Sequence, residues 1–127
     1  MLGNKSIVRS EAKKEVEKPE LLKVKPAVDI YETKDAVVIL AEMPNVDREH
    51  LNVQVKDGLL YIRGTRNTVP KKGEFIIRET RDVEYERIFE LGDDLDPDKI
   101  SASYKYGILE VTIGKKEKAQ PKVIEIK

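Results

Sequence analysis

Between Lys99 and Ile113 the chain reads KISASYKYGILEVTI, two runs of alternation that meet at a glycine. Ile100, Ala102, Tyr104 and Tyr106 alternate with Ser101, Ser103 and Lys105. Beyond Gly107 the alternation resumes, with Leu109, Val111 and Ile113 on one side and Ile108, Glu110 and Thr112 on the other. A period of two gives a strand one apolar and one wet face. Gly107 supplies the positive φ that a tight reversal needs. The stretch therefore predicts two strands around one turn, and the rest of the chain must provide a sheet for them.

The remaining sequence does so. Val28 to Thr33 and Ala36 to Met43 read as strands joined at Lys34 and Asp35. The second run, AVVILAEM, is apolar on both faces, which predicts a central strand covered on both sides. Pro44 ends it. Asn45 to His50 reads as a short helical turn, with Asp47 placed to cap free backbone N–H groups. Leu51, Val53 and Val55 then alternate with Asn52, Gln54 and Lys56, and Asp57-Gly58 is a hairpin signal before Leu59 to Arg66. Asn67 to Gly73 is a loop. In Glu74 to Thr80, Phe75, Ile77 and Glu79 share one face and Ile76 and Arg78 the other. Val83, Tyr85, Phe89 and Leu91 follow at period two with Arg87 among them. An arginine on that face requires a partner: it either meets a carboxylate on an interface side or snorkels at a strand end.

The ends are of different character. Residues 1–26 are expected to be a mobile arm: Ser10 to Lys25 is too polar to bury a face of its own, and a helical Lys13–Glu17 pair contributes only a few tenths of a kcal/mol before Pro19 stops the run. Leu21, Leu22 and Val24 are read as leading into the first strand, with docking on a sheet edge as the alternative. Residues 27–114 form the expected domain and 115–127 a C-terminal extension. Lys115 to Pro121, fully extended, spans about 23 Å. Ile124 and Ile126 lie two apart and so present both side chains on one face of an extended tail.

Composition narrows the chemistry. Lys plus Arg and Asp plus Glu each number 24, so no net charge favours nucleic acid or an anionic membrane. No apolar run approaches the roughly 20 residues of a membrane span, and MLGNKSIVRSEAKK lacks the apolar region of a signal peptide; a cytoplasmic location is expected. Without cysteine the chain has neither disulfides nor thiols for a metal. Asp94, Asp96 and Asp98 resemble a calcium loop only superficially, because Lys99 and Lys105 occupy the positions of its glycine and its bidentate glutamate. With no phosphate-cradling glycine loop and one histidine, His50, in a predicted turn, no catalytic site, cofactor or metal is expected.

Ala102, Gly107, Ile108 and Leu109 fall on Ala-x-x-x-Asn-Gly-Val-Leu, with Tyr106 replacing Asn. Together with Met43-Pro44-Asn45-Val46, the Phe89 and Leu91 run and the terminal Ile124-x-Ile126, these positions resemble the bacterial and archaeal small heat-shock proteins and their α-crystallin domain. The resemblance implies an all-β, immunoglobulin-like β-sandwich of two antiparallel sheets with a flexible N-terminal arm and C-terminal tail. It implies that Glu74 to Thr80 crosses to a partner subunit as an exchanged strand, making a homodimer with Phe75 and Ile77 as contacts and Arg78 or Arg87 supplying a cross-subunit ion pair. It further implies that Ile124 and Ile126 enter an apolar groove on another dimer, walled by Val53, Val55, Ala102 and Tyr104, and so build larger homo-oligomers. The implied activity is that of an ATP-independent holdase that binds unfolded client proteins. The alternative is an adaptor of the related CS-domain type, which needs neither exchanged strand nor tail motif. Tyr106 in place of Asn is expected to cost about 1 kcal/mol or to change the turn type.

Overall fold

A computed structural model of the chain describes residues 21–66, 72–117 and 123–127. The expectations for residues 1–20, for most of the 67–73 loop and for 118–122 of the tail linker lie outside these residues. Eight strands follow in order: β1 (Leu22–Val24), β2 (Val28–Glu32), β3 (Ala36–Glu42), β4 (Leu51–Lys56), β5 (Leu59–Arg66), β6 (Val83–Glu90), β7 (Leu95–Lys105) and β8 (Ile108–Lys115). They form two four-stranded sheets, β1-β6-β5-β4 and β2-β3-β8-β7. Every pairing is antiparallel except that of β1 with β6.

The alternation in sequence becomes the interior. Ile39 and Ala41 of β3, Leu60 and Ile62 of β5, Val83 and Tyr85 of β6 and Leu109, Val111 and Ile113 of β8 bury against Met43 and Val46. β3 is central, between β2 and β8. On its other face Val38 is buried too, with Tyr31 and Thr112 as cross-strand neighbours. Two hairpin tips share one geometry: φ is positive at Asp57 and Gly58 and again at Tyr106 and Gly107. Positive φ at both central residues is the type I′ pattern that suits the twist of the flanking strands. Tyr106 therefore keeps the turn and bears the strain, at φ 52°.

Four features differ from the sequence reading. Leu22–Val24 docks on a sheet edge instead of merely leading into β2, pairing with Val83–Tyr85. Three residues of parallel ladder about 60 positions away in sequence leave no local signal. Asp47 precedes the 3₁₀ turn Arg48–His50 in extended conformation but makes no side-chain cap; its carbonyl accepts from the His50 N–H at 2.8 Å. β7 begins at Leu95, well before Ile100, because Leu95 pairs with Lys115 across a bulge that absorbs Asp96 to Lys99. Glu74 to Thr80 alternates like a strand yet forms none, since no edge of its own sheets pairs with it.

Candidate functional site

The candidate groove lies between the edge strands β4 and β7, one from each sheet. Leu51, Val53 and Val55 face inward and are half-buried, while Asn52, Gln54 and Lys56 are exposed. In β7, Ile100, Ala102 and Tyr104 pair with the fully or nearly buried Ile113, Val111 and Leu109 and so share their inward face. Ile100 and Tyr104 are half-buried, but Ala102 is exposed. A small side chain facing the interior and still reached by solvent marks an open mouth between the two sheets.

Backbone alternation adds unpaired donors and acceptors there. A two-residue loop makes its flanking residues a hydrogen-bonded pair, Lys56 with Leu59 and Lys105 with Ile108. Alternation then turns the N–H and C=O groups of Val53 and Val55, and those of Ala102 and Tyr104, toward the free edges. The Tyr104 carbonyl already has one acceptance there, from Arg48 Nη2 at 3.1 Å. Its side chain is fixed as well: the hydroxyl donates to the Met43 carbonyl at 2.6 Å and accepts from the Val46 N–H at 3.2 Å. Tyr104 thus bolts the β7 edge to the connection that leads into β4. The structure therefore brings Val53, Val55, Ala102 and Tyr104 to the mouth of one sandwich.

A third free edge is β2. Thr33 N–H donates to Ala36 O at 2.8 Å, which turns the odd residues of β2 toward β3 and leaves the backbone of Val28 and Ile30 open. Ile30 is 51% exposed although it pairs with the buried Ile39. Sequence reasoning did not single out Ile30, because period two shows which residues share a face and not which strand ends up at an edge.

Against these open edges stand apolar segments that belong to no sheet. Ile124 and Ile126 are 82% and 94% exposed, and Val123 to Lys127 forms no strand. Ile76 and Ile77 are 97% and 75% exposed. Phe75 stacks under the Arg78 guanidinium, 5.1 Å from the ring centroid, and Arg78 reaches the Asp82 carboxylate of its own chain. Within its own chain Arg87 meets a backbone carbonyl and a ring, not a carboxylate. It sits half-buried on the inward face with Nη1 donating to the Pro26 carbonyl at 3.3 Å and its guanidinium over Phe89. His50 is exposed, with Nδ1 4.0 Å from the Asp47 carboxylate. Among the described residues no group of three His, Cys, Asp or Glu side chains is set to hold a metal, and no helix is long and apolar enough to cross a membrane. Asp96 Oδ1 instead accepts from the Asp98 N–H, organising the turn before Ile100.

The profile of the Hsp20/alpha crystallin family matches residues 29–127, which takes in β2 to β8 and the terminal Ile-x-Ile. The chain belongs to that family. It is 35% identical over 120 residues to the probable 15 kDa heat shock protein of Leptospira interrogans, covering 94% of this chain and 89% of that protein. Among solved structures it resembles a small heat-shock protein from Xylella fastidiosa, with a TM-score of 0.65 and 33% identity over 82% of this chain and 97% of the other. Heat shock protein 16.0 from Schizosaccharomyces pombe gives a TM-score of 0.63 and 32% identity, covering 82% and 99% of the two chains. In this small heat shock protein Ala102 is an exposed alanine on the inward face of β7, Gly107 a positive-φ turn residue and Leu109 a buried core residue.

Proposed function

We propose that this chain is an ATP-independent holdase that works as an assembly of homodimers in the cytoplasm. One observation supports this reading above the others: the molecule has open sheet edges over half-exposed apolar interior and, separately, apolar segments with no sheet. Extended segments add to open edges through backbone hydrogen bonds, with side-chain pockets selecting what binds. Glu74 to Thr80, carrying Phe75 and Ile77, pairs with the β2 edge of a second subunit and covers Ile30. Arg78 exchanges its own Asp82 for a partner carboxylate on pairing, or Arg87 supplies that cross-subunit contact. The tail from residue 115 reaches another dimer and seats Ile124 and Ile126 between Val53, Val55, Ala102 and Tyr104.

Each buried isoleucine contributes roughly 2 kcal/mol, so a single tail binds weakly and several on one assembly bind well. Such an assembly exchanges subunits, and the apolar surface freed by exchange covers unfolding client proteins. Residues 1–26 act as the arm and 27–114 as the α-crystallin domain. The test is light scattering of a thermally unfolding client with and without the chain, in buffer free of nucleotide. The reading predicts that aggregation falls as chain is added, reaching suppression near stoichiometric amounts. Unchanged aggregation at excess chain contradicts the holdase reading and favours an adaptor role.

A further inference from the structure

We propose that β1 is a detachable latch that holds the root of the Glu74 to Thr80 segment and so couples the amino-terminal part of the chain to subunit pairing. The inference rests on the exchanged-strand reading above. It starts from register: Leu22, Lys23 and Val24 lie opposite Val83, Glu84 and Tyr85, the first residues of the chain after that segment returns to the sheet. Leu91 N–H donates to Gly58 O at 2.9 Å, so the odd residues of β6 turn toward β5 and the even ones toward β1. In the parallel ladder this sets, Leu22 N–H donates to the Asp82 carbonyl, Glu84 N–H to Leu22 and Val24 N–H to Glu84. Lys23 N–H faces away. The next donor in register is residue 26, a proline, which has no N–H to give. The latch is therefore three residues long by sequence.

The same root is gripped from the other side. Arg66, at the end of β5, donates from Nη2 to the Arg81 carbonyl at 2.7 Å and from Nη1 to the Tyr85 hydroxyl at 3.3 Å. Leu21, Leu22 and Lys23 share a cleft of about 780 Å³ with Arg81 and Glu84, so the entry of the arm and the return of the segment bound one space. Behind the latch the chain is anchored independently: Pro26 is buried and accepts from Arg87, and the Ala27 carbonyl accepts from Glu42 N–H at 2.9 Å. β1 can leave without disturbing β2. With β1 docked, the backbone at Asp82 has the Leu22 N–H as an additional hold before the segment meets a partner; with β1 released, the Arg66 and Arg78 contacts remain and that hold is lost. Ordering the equivalent of one further backbone residue on pairing weakens association by about tenfold.

Two proline substitutions in the full chain separate the latch from general damage. Leu22→Pro removes the donor to the Asp82 carbonyl at a side chain that is 47% exposed, whereas Lys23→Pro removes an N–H that faces solvent. Far-UV circular dichroism checks that both fold. Dissociation to the monomer is followed by sedimentation over a dilution series, and amide exchange at Glu84 reports the latch itself. The expected result is that Lys23→Pro stays within about twofold of the natural chain while Leu22→Pro dissociates at about tenfold higher concentration, with Glu84 losing protection. Equal dissociation of the two variants, with Glu84 exposed in Leu22→Pro, overturns the coupling. A natural chain that is monomeric at every concentration overturns the exchanged-strand reading instead, and the latch's role in pairing with it.

Discussion

Replacing Tyr104 by Phe tests how the β7 edge at the candidate groove is held. The ring stays, so packing against the interior is preserved and only the hydroxyl goes. That hydroxyl satisfies two backbone groups, the carbonyl of fully buried Met43 at 2.6 Å and the N–H of Val46, which is 5% exposed. Stranding a buried backbone group costs about 1–3 kcal/mol. The Tyr104 bonds are only partly buried, so water recovers some of this for each group, and the sum for the two is about 2 kcal/mol. For a domain of roughly 100 residues that corresponds to a fall in melting temperature of about 8–16 °C. The assay is urea unfolding followed by far-UV circular dichroism at matched protein concentration, because assembly makes apparent stability concentration-dependent. Tyr106→Phe is the control, since Tyr106 is 95% exposed and has no such partners. A loss below about 0.5 kcal/mol for Tyr104→Phe, or an equal loss in the control, refutes the claim that this hydroxyl ties β7 to the connection before β4.

Gly64→Ala is expected to destabilise by about 1 kcal/mol, because an added Cβ lies 2.5 Å from Met43 Cε and within 3.2 Å of Leu51 and Val46, so the flexible end of the buried Met43 must shift and its neighbours give slightly; thermal unfolding with no change in midpoint contradicts this. Tyr106→Asn is expected to stabilise by about 1 kcal/mol, since φ is 52° at an exposed position that Asn adopts more readily; a midpoint that stays or falls shows that Tyr106 carries no strain.

What the sequence revealed was what local chemistry determines. The Asp57-Gly58 and Tyr106-Gly107 tips announce their own turns, and the alternation on either side fixes which residues of β4, β5, β7 and β8 share a face. β3 was legible as central because it is apolar on both sides. β1 was legible only as an alternative: the cluster of Leu21, Leu22 and Val24 allowed docking on a sheet edge, but nothing local says that Val83 to Tyr85 offers that edge. The course of Arg87 was hidden for the same reason, as its acceptor is a backbone carbonyl 61 residues away. The candidate groove residues Val53, Val55, Ala102 and Tyr104 come from the family resemblance; periodicity alone gives their common face and not that the face opens between two edges. Arg48 and Arg66 escaped because their partners, Tyr104 and Arg81 with Tyr85, lie far along the chain, and Ile30 because periodicity does not say which strand ends at an edge.

The central claim is that the terminal Ile-x-Ile joins one dimer to another by seating in the groove between β4 and β7. The most direct measurement is the solution mass, by light scattering, of the full chain and of a chain ending at Gln120, each before and after mild heating. The account predicts a multimer for the full chain and a dimer for the shortened one. Two dimers of equal mass contradict the tail-in-groove assembly, and two monomers contradict the exchanged strand as well.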